Sequence, residues 1–163
     1  MDFQPQFEAK VPPRFRPPLE GCVARDFAMA NALKSCYIEA FGMIAANIYR
    51  SLRCAERERT LSDTFEALAV EELETFRLLG ELIVALGGDA ELRSYRRRSG
   101  GYAPVGEEAH VFLEEGLAER KRNIDRYETL MGKTGDRVVR SVLARLVSRE
   151  RRMLERLRDH ISR

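Results

Sequence analysis

Four charged side chains lie at the centres of apolar helical stripes, where their charges could meet inside a bundle. They are Glu39, Glu72, Arg120 and Glu150. Residues three and four apart share one face of a helix, so each of these charges points in the same direction as the apolar residues around it. A buried carboxylate needs a cation or a proton beside it. The sequence therefore predicts that the chemistry of this chain lies in its core.

Glu150 gives the clearest pattern, because a stripe with a period near 3.6 residues would normally place Leu or Ile at this position. The apolar members of its stripe are Val139, Val142, Leu143, Leu146, Val147, Met153, Leu154, Leu157 and Ile161. Glu72 has a similar place in the stripe of Phe65, Leu68, Ala69, Phe76, Leu79, Leu82, Ile83 and Leu86. Thr75 follows on the same face and is predicted to be a second polar group there.

Arg120 and Glu39 complete the set of central charges. The stripe around Arg120 consists of Leu113, Leu117, Ile124, Tyr127 and Met131, and the one around Glu39 of Cys36, Ala40, Met43 and Ala46. The helix of Glu39 is apolar on more than one side, which leaves its inner face less well defined. Two plainer interpretations stay open: the glutamates reach solvent at the edge of a groove, or Arg120 buries only its stem.

Composition predicts one helical domain. The chain has 163 residues, a formal net charge of +2, 44% hydrophobic and 33% charged residues and no Trp. The small net charge gives no reason to expect nucleic acid as a partner, and no apolar run is long enough for a membrane span. Three cysteines, Cys22, Cys36 and Cys54, form an odd set without close pair spacing. We therefore expect no disulfide scaffold, and we expect the protein to be located in the cytoplasm.

Two segments are predicted, a proline-rich N-terminal arm over residues 1–22 and a bundle over residues 23–163. The bundle is expected to contain four helices. The first covers about 23–56, the second follows a cap at 62–63 and ends at 86, the third covers about 107–131, and the fourth follows a cap at 136 and runs nearly to the C-terminus. The residues predicted to cap or close them are Ser62, Asp63, Gly87, Gly88, Gly132 and Asp136. Residues 89–106 form the one long connection. Short, long and short connections are typical of an antiparallel bundle with one crossover, between helices two and three.

Residues 72–81 read ELETFRLLGE and residues 86–89 read LGGD. This string resembles small bacterial members of the ferritin-like superfamily, the group of rubrerythrins and bacterioferritins, whose second helix reads Glu-x-x-His-Leu-Glu-Leu-Leu-Gly-Glu before Leu-Gly-Gly-Asp. The likeness spans roughly residues 25–162, and the 33-residue interval between Glu39 and Glu72 is close to the usual one. The resemblance implies a ferritin-like four-helix bundle and a homodimer formed along helices one and two.

The resemblance also implies two metal ions, iron or manganese, held by a Glu from each of two helices and a Glu-x-x-His from each of the other two. This chain keeps Glu39, Glu72 and Glu150 at matching positions. Thr75 and Met153 stand where the family has histidines, and Arg120 stands where it has the Glu of helix three. A metal set in this chain would be Glu39, Glu72, Glu119 and Glu150, with Glu119 serving if the register differs by one residue.

Arg120 suggests a different arrangement, in which a guanidinium takes the place of the metals. It offers five donors in a fixed fork and stays charged, so it can bridge several carboxylates. We expect it to form a buried network with Glu72, Glu150 and Glu39, with Thr75 as a further hydrogen-bonding partner. The favoured function is then a structural or interaction protein with no cofactor. The alternative is a histidine-free iron or manganese oxidoreductase or storage protein.

Overall fold

The fold is all-α over the part of the chain that can be described. A computed structural model describes residues 23–92 and 108–162, and in these ranges it contains four helices and no strand. The helices are α1 (Phe27–Cys54), α2 (Arg59–Ala85), α3 (Glu108–Gly132) and α4 (Arg137–Arg158). The prediction of an all-α four-helix bundle is confirmed. The predicted arm at 1–22 and most of the predicted crossover lie outside the described residues.

The beginnings of α1 and α2 differ from the prediction. The first helix begins at Phe27 instead of residue 23, because the carboxylate of Asp26 accepts a hydrogen bond from the Met29 amide at 2.9 Å and caps it there. The second begins at Arg59, so the predicted capping residues Ser62 and Asp63 are inside the helix and do not cap it. The Ser62 hydroxyl instead donates to the carbonyl of Ser51 at 2.8 Å, which joins the end of α1 to the start of α2.

The end of α2 and the start of α4 follow the prediction. Gly87 has φ +88°, the left-handed conformation that glycine adopts without strain, and the Gly88 amide donates to the Ile83 carbonyl at 2.9 Å. Asp136 caps α4 by accepting from the amides of the second and third residues that follow it, at 2.8 and 3.1 Å. Gly132 does not close α3 in the predicted way, because it is the last residue of the helix.

The described residues form two apolar core clusters, one towards each end of the bundle. One is built around Leu33, Leu79, Leu82, Leu143 and Leu146, and the other around Phe65, Leu68, Phe112, Met153 and Leu157. Along α2 and α4 the residues between the two clusters include Glu72 and Glu150. The fold thus surrounds a short polar layer with apolar material on both sides.

The helices pack mainly as two pairs, α1 along α2 and α3 along α4. The amide of Asp26 before α1 donates to the carbonyl of Leu86 after α2 at 3.0 Å. Near the other end of α1, Arg53 pairs with Glu108 at the first residue of α3, at 2.7 Å. Neither pair contains a helix that, within the described ranges, is long and apolar enough to cross a membrane.

Candidate functional site

The polar layer is centred on one arginine between two glutamates. Arg120 of α3 is 1% exposed, Glu72 of α2 is fully buried and Glu150 of α4 is 1% exposed. Nη1 of Arg120 donates to Oε1 of Glu72 and, at 3.1 Å, to Oε2 of Glu150. Three different helices therefore supply one charge each, and the guanidinium lies between the two carboxylates with almost no contact with solvent.

Asn123, Met43 and Met153 surround these charges. Nδ2 of Asn123 donates to Oε1 of Glu150 at 3.2 Å. The thioether sulfurs of Met43 and Met153 each lie 3.5 Å from a guanidinium nitrogen of Arg120. A thioether is only a weak acceptor, so the methionines enclose the arginine without matching its charge. Asn123 was not predicted as a site residue, although its position three residues after Arg120 puts it on the same face of α3.

Among the described residues, the polar layer around Arg120 contains two fully buried carboxyl groups and a single guanidinium. The pKa of Glu150 is raised to about 8, chiefly by burial and in part by the neighbouring Glu72, against the opposing effects of Arg120 and the Asn123 hydrogen bond. Burial likewise raises the pKa of Glu72, with Arg120 again opposing the shift. Arg120 stays charged, because attraction to both carboxylates raises its pKa even though burial alone would lower it. The layer is therefore electrically balanced when the two glutamates share one proton.

Thr75 lies on the predicted inner face of α2, but it does not form the predicted hydrogen bond. Its side chain is buried beside the site, but its hydroxyl has no hydrogen-bond partner among the described residues. The expectation that it bonds into the network is wrong. The second oxygen of Glu72 and the Nε of Arg120 are also buried without a partner in the described part of the chain. The hydrogen bonding of the site is therefore incomplete at three atoms.

Glu39 does not join the network either. Its side chain is 40% exposed and forms an ion pair with Arg126 of α3. The side chain that α1 directs at Arg120 is Met43, one turn further along the helix. The stripe assignment failed here because α1 is apolar on more than one side, so spacing alone could not identify the face that points at the centre of the bundle.

A second buried arginine lies near the site. Arg50 of α1 is 4% exposed and forms a bidentate pair with Glu119 of α3, with both nitrogen to oxygen distances at 2.8 Å. It also donates to Glu115 at 3.1 Å and to Asn47 at 3.2 Å. The sequence prediction missed Arg50. Arg50 follows Met43 by seven residues and Asn47 by three, so it lies on the same helical face as both. Helical spacing of this kind also identified Arg120.

The residues present do not fit a dimetal centre. Each of the four carboxylates in the possible metal set is paired with an arginine: Glu39 with Arg126, Glu72 and Glu150 with Arg120, and Glu119 with Arg50. A guanidinium between Glu72 and Glu150 places positive charge where a metal cation would bind. The described residues include no group of three or more His, Cys, Asp and Glu side chains arranged to hold an ion.

The histidines and the described cysteines lie elsewhere. His110 is exposed and pairs with Glu114 one turn along α3, and His160 shares a 2.8 Å hydrogen bond with the Thr64 hydroxyl. Cys36 and Cys54 are buried free thiols whose pKa burial raises. None of these groups belongs to the polar layer.

Comparisons with protein-family models, with curated proteins and with solved structures find no match to this chain.

Proposed function

We propose that this chain is a ferritin-like protein without a working dimetal centre, and that it has a structural or interaction role. The observation that carries the proposal is the position of the Arg120 guanidinium, which is 1% exposed and bonded to both Glu72 and Glu150. These are two of the positions at which the resemblance implies metal ligands. An arginine in that place supplies the positive charge that the carboxylates require, without redox chemistry.

Contacts between helix ends support the ferritin-like topology. The start of α1 is bonded to the end of α2, and its last turn is paired with the start of α3. Thr64, early in α2, is bonded to His160 just after α4. These contacts favour an arrangement in which α1 is antiparallel to both α2 and α3. The chain must then cross the length of the bundle between α2 and α3, as in a bundle with one crossover.

Metal analysis tests the proposal directly. Purified protein is loaded with iron(II) or manganese(II), desalted, and its metal content per chain is measured by inductively coupled plasma mass spectrometry. We expect no stoichiometric retention. Arg120→Glu should retain more metal than the natural chain, because it removes the competing cation and adds a carboxylate. Arg151→Glu is the matched control and should not, because it makes the same change at an exposed arginine that pairs with Glu128, outside the possible metal set. Retention of two ions per natural chain would favour the histidine-free dimetal oxidoreductase or storage protein instead.

We also propose that the protein is a homodimer formed along α1 and α2. Both helices carry large apolar side chains that are strongly exposed, among them Leu52 (71%) of α1, and Leu73 (54%) and Val84 (60%) of α2. Leu73 and Val84 are eleven residues apart and therefore share one helical face. The Arg77–Glu81 ion pair lies between Leu73 and Val84 on the same face of α2, so this surface is apolar with one internally neutral pair of charges. A second copy suits it, because such a surface can pair with itself without a complementary charge on the partner.

Sedimentation equilibrium measures the association of the natural chain and of Leu52→Glu/Leu73→Glu. We expect the natural chain to be a dimer and the double variant to be a monomer, because burying two carboxylates in the interface without partners is costly. Ile161→Glu is the matched control, since Ile161 is also 60% exposed but lies beyond the end of α4. A monomeric natural chain, or a double variant that remains dimeric, would exclude this interface.

A further inference from the structure

Arginines recur along one side of α4. They are Arg145, Arg149, Arg152 and Arg156, separated by four, three and four residues. This spacing places all four on one helical face. With a rise of about 1.5 Å per residue, the row extends for about 16 Å along the helix. The structural or interaction role proposed above does not involve this row of arginines.

A groove of about 340 Å³ lies along this row of α4, next to Leu78 of α2. Its lining contains three of the arginines, two serines and two apolar residues: Arg145, Arg149, Arg152, Ser141, Ser148, Leu78 and Ala144. The serines alternate with the arginines at helical spacing, so hydroxyl and guanidinium donors both face the groove. None of the described residues that line the groove is a carboxylate.

The arginines of the groove differ in how they are held. Arg149 is fixed by Glu74, at 2.6 Å, and by Glu71, whose carboxylate is 3.6 Å away and is also near Arg156. Arg145 and Arg152 are exposed, and neither has an ion-pair partner within residues 23–92 and 108–162. In the described part of the chain, the groove therefore contains one positioned guanidinium, that of Arg149, between two that no carboxylate neutralises.

We propose that this groove binds a polyphosphate anion. Guanidinium groups bond phosphate oxygens in bidentate fashion, and serine hydroxyls can donate to the remaining oxygens. The two unpaired arginines, Arg145 and Arg152, are seven residues apart, about 10 Å along the helix. That distance, with Arg149 between them, suits several linked phosphates better than a single one.

The same lining disfavours an acidic peptide or a nucleotide base as the recognised part of the ligand. Both walls are helices, whose backbone groups are bonded within the helix, so the amides of a bound peptide would find few partners. Among the described residues, no aromatic side chain on which a base could stack lines the groove. The groove therefore recognises the charged phosphates themselves.

Isothermal titration calorimetry with sodium tripolyphosphate tests the proposal. We expect saturable binding that weakens as salt is added, and an affinity at least about tenfold lower for Arg145→Gln/Arg152→Gln, which loses two charge-assisted contacts. Arg137→Gln/Arg140→Gln removes the same charge from the same helix outside the lining, and should bind almost as well as the natural chain. Circular dichroism checks that both variants remain folded.

Three results would overturn the proposal. The first is the absence of saturable binding by the natural chain. The second is an equal loss of affinity in the two double variants, which would mean that the anion responds only to the general charge of α4. The third is equally tight binding of a glutamate-rich peptide that also depends on Arg145 and Arg152, because the groove would then select carboxylates as readily as phosphates.

Discussion

Arg120→Met lowers the free energy of unfolding by about 3–5 kcal/mol, the usual cost of removing one partner from a buried ion pair. Methionine keeps much of the apolar volume of the arginine stem, so most of the loss comes from leaving Glu72 and Glu150 without a cation. Both carboxyls are then forced towards their protonated forms. Urea denaturation followed by circular dichroism at neutral pH measures the change.

Arg126→Met is the matched control, because Arg126 also forms an ion pair between α1 and α3, but with a side chain that is 35% exposed. A partly exposed pair contributes about 1 kcal/mol or less. A triple variant, Arg120→Met/Glu72→Gln/Glu150→Gln, should recover part of the lost stability, since it removes the unpaired charges as well. If Arg120→Met were as stable as the natural chain, the guanidinium would not be neutralising the buried glutamates.

The central part of the site followed from sequence because its three helices have well-defined apolar stripes. Glu72, Arg120 and Glu150 each replace an apolar residue in such a stripe, and the helical period then requires them to point inwards. The apolar pattern also predicted the positions of the helices. Gly87 and Asp136 predicted the end of α2 and the start of α4. These features depend only on neighbours in the chain.

The other contacts of the site depend on which helices are neighbours and on how far each is shifted along its axis relative to the next. The spacing of residues within one helix does not specify either. Glu39 pairs with Arg126, and Glu119 with Arg50, across helix interfaces whose register is set by the packing of the whole bundle. Met43 faces Arg120 for the same reason. Thr75 lies on the predicted face, but whether its hydroxyl finds an acceptor depends on side-chain positions that differ by about one ångström.

The pairing of every candidate carboxylate with an arginine gives the proposed loss of metals a physical basis. In the implied dimetal site, two divalent cations would neutralise four carboxylates together at one place. Among the described residues, three arginines neutralise them, and Arg120 is bonded to Glu72 and Glu150 and also lies 4.0 Å from Glu119, the partner of Arg50. The balance of the central pair is therefore completed by a proton, which makes the stability of this core sensitive to pH.

The natural chain should lose stability as the pH rises from about 5 to 8. The folded protein keeps a proton on the glutamate pair up to about pH 8, the raised pKa of Glu150, whereas an unfolded glutamate releases its proton near pH 4.3. Between these values the folded state binds more protons than the unfolded state. Raising the pH therefore favours unfolding, with a slope of up to about 1.4 kcal/mol per pH unit for one proton.

Glu150→Gln isolates this contribution, because glutamine is neutral at every pH, has nearly the same shape, and can still accept a hydrogen bond from Arg120. Urea denaturation at pH 5, 6, 7 and 8 should give a flatter dependence for this variant than for the natural chain. Glu128→Gln removes a carboxylate that is 43% exposed and paired with Arg151 at the surface, so it should leave the slope unchanged. Equal slopes for the natural chain and Glu150→Gln would mean that position 150 carries no buried proton. The single guanidinium would then be sufficient for both glutamates, and the charge balance of the core would not require protonation.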